Sequence, residues 1–303
     1  MEKVDLKHEY VPALVVISAV GLIFNAVSLS FFVKMRKEFG NTLLAYMNIV
    51  DIIMSISTVL YYVVAPQIPD VLMMLGLKTI SFHICRSSIM VTGLITIYLN
   101  ILRTTAIIWP LIRIKRGPLH ASLIILMAVF VGLEASFGVF WTYPNFAYEY
   151  KVKMGVNVSP PLVQDHPFVQ FYLLELQIFG IPIVILVTVC CIASAGKLLM
   201  PNPTLVEIED NGARVKAATT VLLLGVQYVV CNTVGLILYT IYGAHILHGD
   251  NLSYGLKLYF IGSISLALNS TLNPVVYIWR LEKLREHVVN TWLTCHVVNM
   301  SRG

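Results

Sequence analysis

Four ionisable side chains interrupt long apolar runs, where an unpaired charge is expensive: Asp51, Arg86, Glu134 and Glu175. Each must be paired, neutralised or functional. Asp51, in Tyr46-Met47-Asn48-Ile49-Val50-Asp51, can hold a hard cation together with other oxygens, or sit protonated within hydrogen bonds. Arg86, next to Cys85, can form an internal salt bridge with Glu134 and Glu175. Alternatively it takes a ligand carboxylate or phosphate in a bidentate fork, displacing a glutamate. His83, Gln177, Asn232 and Tyr239 are further candidates for lining such a cavity. Asn25 is a deep amide that must find its partners within a helix bundle. Enzyme chemistry has little to work with: there is no His/Glu metal spacing, no nucleophile elbow and no phosphate loop.

The elements that carry these groups are membrane spans. Hydrophobic residues make up 57% of the 303-residue chain and charged ones 12%, against roughly a quarter charged in a soluble domain. A soluble globular protein is therefore excluded. Ile80 to Ile108 alone is about 42 Å long as a helix, enough to cross a hydrocarbon layer about 30 Å thick with tilt to spare. The predicted spans are 11–34, 41–65, 79–109, 119–141, 168–198, 214–243 and 254–279, which defines an all-α membrane protein. Residues 1–10 form an outer N-terminus and 280–303 an inner tail, with no sequence repeat or low-complexity tract. Residues 1–10 lack the layout of a cleaved signal, so the first span reads as a signal anchor.

Charge sets the orientation. With the N-terminus outside, the cytoplasmic side holds 14 of the 21 Lys and Arg and the outside six, Arg86 being the one within the membrane. The positive-inside rule favours that arrangement, so the net charge of +5 is a topology signal and points to no nucleic acid. Asn157 and Asn251 stand in Asn-x-Ser sequons of outer loops and are candidate glycan sites, whereas Asn299 falls inside. The five cysteines (Cys85, Cys190, Cys191, Cys231 and Cys295) avoid the outer loops, so no extracellular disulfide is expected. Cys295 is a candidate for lipidation or a free tail cysteine.

Two stretches carry a family resemblance. Leu102-Arg103-Thr104-Thr105-Ala106-Ile107-Ile108-Trp109-Pro110-Leu111 resembles the (Asp/Glu)-Arg-Tyr-x-Ala-Ile-x-x-Pro-Leu end of the third helix in rhodopsin-like G-protein-coupled receptors. Leu268-Asn269-Ser270-Thr271-Leu272-Asn273-Pro274-Val275-Val276-Tyr277 resembles their Asn-Ser-x-x-Asn-Pro-x-x-Tyr ending of helix seven. Ile278 to Trp292, with Arg280, Lys283 and Arg285 on one face and Leu281, Leu284, Val288 and Trp292 on the other, looks like their short amphipathic eighth helix. The match is weaker elsewhere. Lys78 stands where the family has its disulfide cysteine, and the fourth span lacks its mid-helix tryptophan. Pro182 fits in the fifth span, but Cys190 occupies the tyrosine position. In the sixth span Asn232 and Val234 replace tryptophan and proline, so that helix should be straighter.

The resemblance implies a seven-helix receptor that transduces an extracellular ligand to a heterotrimeric G protein at the plasma membrane. It implies a sodium site at Asp51 with Ser88, Thr92, Asn269, Ser270 and Asn273, and a switch through Arg103, Asn273, Pro274 and Tyr277. It also places Asn273 to satisfy the backbone carbonyl that Pro274 frees. Leu102 and Arg214 stand where acidic residues usually restrain Arg103, so both restraints are missing. Ala267 occupies the retinal-lysine position and Cys85 the amine-binding aspartate position, which sets opsins and amine receptors aside. The ligand is an anion if Arg86 meets it, and a chemosensory role and an internal peptide or metabolite role both stay open. The rival reading is an ion or small-solute transporter or channel through Asp51, Arg86, Glu134 and Glu175, although no inverted repeat or pair of broken helices supports it.

Overall fold

Apolar runs in a lipid solvent leave the backbone no option but to satisfy itself, and among the described residues every regular element is helical. The computed structural model describes residues 6–35, 39–108, 117, 120–129, 131–132, 151, 154–155, 176–199, 211–248, 252–282, 284–286 and 288–289. The helices are α1 (Leu6–Lys34), α2 (Phe39–Val59), α3 (Val71–Ile108), α4 (His120–Val129), α5 (Ile181–Leu199), α6 (Asn211–His248) and α7 (Leu252–Arg280). Six of these elements are long and apolar enough to cross a membrane; α4 is a shorter apolar helix.

α1, α2, α3, α5, α6 and α7 pack in that order around a closed ring, α7 returning to α1, with α3 also touching α6. α4 joins from the outside of α2 and α3: Tyr98 Oη and Ser122 Oγ lie 2.8 Å apart, Tyr46 Oη and His120 Nε2 3.3 Å apart, and Leu123 is fully buried. The main core runs through Met47, Val50, Ile95, Leu99, Leu224 and Tyr277, so α2, α3, α6 and α7 share one interior. Close approach is bought with small residues, as bilayer-embedded interfaces require. At Gly93 of α3 a Cβ would sit 2.6 Å from Tyr228 Oη of α6, and at Gly225 of α6 it would overlap Cys191 Sγ of α5.

Several boundaries differ from the sequence reading. α3 begins at Val71, not 79, which moves Lys78 from an outer loop into a helix. The reason is local: Asp70 accepts from Met73 N through Oδ1 at 2.7 Å and from Met74 N through its carbonyl at 2.9 Å, an N-terminal cap directly after Pro69. α2 continues past Val59 as a π-helical turn (Leu60–Val64) and a 3₁₀ turn (Ala65–Gln67). α5 is preceded by a π-helical turn (Leu176–Gly180). α6 runs unbroken for 38 residues, as expected for a helix without an interior proline. Beyond Arg280 the chain leaves the helix at Leu281, then makes helical turns that bury Leu284 and expose Glu282, Arg285 and Glu286.

Candidate functional site

Asp51 sits fully buried on α2, and two neighbouring helices donate to its two oxygens. Thr92 Oγ1 of α3 reaches Oδ1 at 3.2 Å, and Asn273 Nδ2 of α7 reaches Oδ2 at 2.9 Å. Asn269 and Ser270, on the same stretch of α7, are buried at 6% and 3% exposure. Ser88 is buried one turn from Thr92, but its hydroxyl donates to the Ile84 carbonyl at 2.8 Å and makes no hydrogen bond to Asp51. Of the five partners read from the sequence, the structure therefore joins Thr92 and Asn273 directly to Asp51.

Around this carboxylate lies an unusual set of polar atoms. Asn25 Oδ1, Asn48 Oδ1, Gln227 Oε1, Asn269 Oδ1, Ser270 Oγ and Tyr277 Oη are buried with no hydrogen-bond partner among the described residues. Such groups in a native interior are ordinarily satisfied by water or an ion. Their chemistry, neutral oxygens beside one carboxylate, fits a small hard cation or ordered water rather than a softer metal. Among the described residues there is no cluster of His, Cys, Asp and Glu that would hold a transition metal.

Pro274 cannot donate a backbone hydrogen bond, so the carbonyl of Ser270, four residues back, loses its helical partner. The sequence reading gave the repair of that carbonyl to Asn273. The structure gives it to Asn25 of α1, whose Nδ2 donates to Ser270 O at 3.3 Å and to Gly21 O at 2.8 Å. Asn273 is instead committed to Asp51. A second polar side chain, not singled out from the sequence, completes the arrangement. Gln227 of α6 donates through Nε2 to Asn269 O at 2.8 Å and to Asn273 Oδ1 at 3.0 Å. The signal was present: a glutamine in the middle of an apolar span needs a partner by the same rule that flagged Asp51.

Tyr277 is fully buried and meets Phe32 of α1 edge-on, ring centroids 5.3 Å apart. Arg103 is half-buried near the C-terminal end of α3, and the neighbouring Leu102 packs against the core. Thr104, in the tyrosine position of the motif, ties α3 to α5 through Ser194 Oγ at 2.8 Å and Cys190 O at 3.3 Å. Arg214 lies in α6 with its side chain outside the described residues; Pro110 and Leu111 lie outside the described residues altogether.

Nearer the Phe82 end of α3 the ring opens into a cavity of about 740 Å³, its mouth included. Tyr61, Tyr62, Phe82, Tyr239 and Tyr259 supply aromatic walls, and Cys85 and Arg86 lie among them. Arg86 is 8% exposed and its guanidinium carbon stands 5.8 Å from the Phe82 ring centre, a cation–π distance. The hydroxyls of Ser57, Thr58 and Ser263 in the same wall donate to carbonyls of their own helices. Asn232 lines a second space of about 360 Å³ that shares Ile89, Met90, Tyr239 and Leu266 with the first. Its Nδ2 donates to Tyr228 O at 2.9 Å. Ala267, and no lysine, faces the larger cavity. Glu134, Glu175, Asn157, Asn251 and Cys295 lie outside the described residues. The four described cysteines, Cys85, Cys190, Cys191 and Cys231, are free thiols.

No protein-family model matches the chain, and no curated protein sequence matches it. The class that the fold itself defines is, among the described residues, an all-helical protein with six helices of membrane-spanning length and apolarity.

Proposed function

We propose that this chain is a rhodopsin-like seven-helix receptor, carrying an extracellular signal to a heterotrimeric G protein across the plasma membrane. The observation that carries the reading is the bond from Asn273 to Asp51, residues 222 apart in sequence, inside an Asn-Pro-x-x-Tyr stretch. That pairing, with Thr92 on the second oxygen, is the arrangement the resemblance implies for a sodium-sensitive polar hub. Sodium, if held, would meet oxygens of Asp51, Thr92, Asn269 and Ser270, and would neutralise a carboxylate that the bundle otherwise balances by hydrogen bonds alone. The ligand site in this reading is the aromatic cavity containing Cys85 and Arg86, and the guanidinium favours a ligand with a carboxylate or phosphate.

At the other end, Arg103 is the group expected to meet the G protein. Leu102 packs into the core where an acid would restrain Arg103, so the resting state is biased toward signalling. A bias of about 1.4 kcal/mol changes the active fraction roughly tenfold. The test is ligand-free signalling at matched surface expression, across G-protein types, in Leu102→Asp and Arg103→Ala. Both are expected to fall well below the wild type. Equal signals in all three would make Arg103 a mere boundary charge and overturn coupling by this route.

A further inference from the structure

We propose that Gln227 is the positioning residue of the Asp51 site: it orients the Asn273 amide toward the carboxylate and thereby ties α6 to it. An asparagine side chain has one accepting end and one donating end, and which way it faces is set by its neighbours. Gln227 Nε2 donates to Asn273 Oδ1 at 3.0 Å, so Asn273 must present Nδ2 to Asp51 Oδ2, 2.9 Å away. Turned over, the amide would set a donor against the Gln227 donor and an oxygen against the carboxylate, losing both contacts. The same Gln227 nitrogen holds the Asn269 carbonyl at 2.8 Å, anchoring it to the α7 backbone one turn before Asn273. Two hydrogen-bonded arms thus converge on Asp51 of α2: Gln227 of α6 through Asn273 of α7 on one oxygen, and Thr92 of α3 on the other. In a lipid-surrounded interior no bulk water replaces a lost member. α6 is consequently held by what Asp51 accepts from Asn273, and any change at the carboxylate is felt at Gln227.

This inference uses the bundle geometry and the Asp51 hub but not G-protein coupling, so a chain that fails to signal would leave it standing. The experiment is a thermal-unfolding cycle on purified full-length protein in detergent: wild type, Gln227→Met, Asp51→Asn and the double variant. Methionine keeps the length of glutamine and removes the donor. Asparagine at 51 presents either an oxygen or an amino group, so the orientation of Asn273 ceases to matter. Gln227→Met is expected to lower the midpoint by about 3 °C in the Asp51 background, and by half of that or less in the Asp51→Asn background. Surface level in intact cells, which needs no purification, is read on the same four proteins and should show the same non-additivity. Equal losses in both backgrounds by both readouts would mean that Gln227 is only a helix–helix contact, and would overturn the proposal.

Discussion

Asp51 has two oxygens and two protein donors, Thr92 and Asn273, while neighbouring oxygens at Asn269 and Ser270 have no protein partner among the described residues. A sodium ion that binds the folded protein there stabilises it by mass action, by about 1 kcal/mol once its concentration is several times the dissociation constant. Replacing N-methylglucamine by sodium is therefore expected to raise the thermal midpoint of the wild type and to leave Asp51→Asn unmoved. A sodium-indifferent wild type would return Asp51 to the alternative of a hydrogen-bonded carboxyl without an ion. Asp51 was legible in the sequence because a carboxylate in an apolar run has few possible roles. Its partners Thr92 and Asn273 came from the resemblance alone. Gln227 was missed because a neutral amide in an apolar helix stands out less than a charge, although it is subject to the same rule.

At the scale of the helix, α7 depends on α1. The carbonyl that Pro274 leaves without a helical donor is met by Asn25, so the distortion of one helix is repaired by the side chain of another. Asn25→Leu keeps the volume and removes the repair. It is expected to destabilise the folded protein by about 1–3 kcal/mol, the cost of an unsatisfied buried carbonyl. A midpoint within error of the wild type would show that the Ser270 carbonyl finds its partner elsewhere. The sequence marked Asn25 as a bundle residue and Pro274 as a helix distortion, but not that one answers the other. Periodicity locates residues along a helix, whereas the rotation of α1 against α7 depends on packing. The early start of α3 was legible in principle, since Pro69-Asp70 is a stop-and-cap signal, but apolar length spoke louder.

For the molecule as a whole, topology is the open quantity that composition addresses best. By the positive-inside rule, the excess of Lys and Arg on one set of predicted loops gives the expectation of an outer N-terminus. Glycan mapping is expected to find Asn251, or Asn157, occupied and Asn299 bare; a glycan on Asn299 would invert the bundle. Six of the seven spans read from length and hydropathy correspond to described helices long and apolar enough to cross a membrane, while the fourth is met by the shorter apolar helix His120–Val129. What length and hydropathy do not set is which helices touch, and the ring order rests on close approaches such as Gly93 and Gly225.

One feature of α6 has a mechanical consequence. The helix is 38 residues long without an interior proline, and Gln227 and the tight contact at Gly225 grip it near the middle. At about 1.5 Å per residue, the arms on either side of Gln227 are about 24 Å toward Asn211 and about 32 Å toward His248. A proline-kinked rod could swing one arm alone; an unbroken one gripped at its middle rocks as a lever. A tilt of roughly 5° would then carry the Asn211 end about 2 Å one way and the His248 end nearly 3 Å the other. A ligand that pulls the far end of α6 inward by the width of a few bonds would thereby push its opposite end outward, with the fulcrum at the residue that feels Asp51.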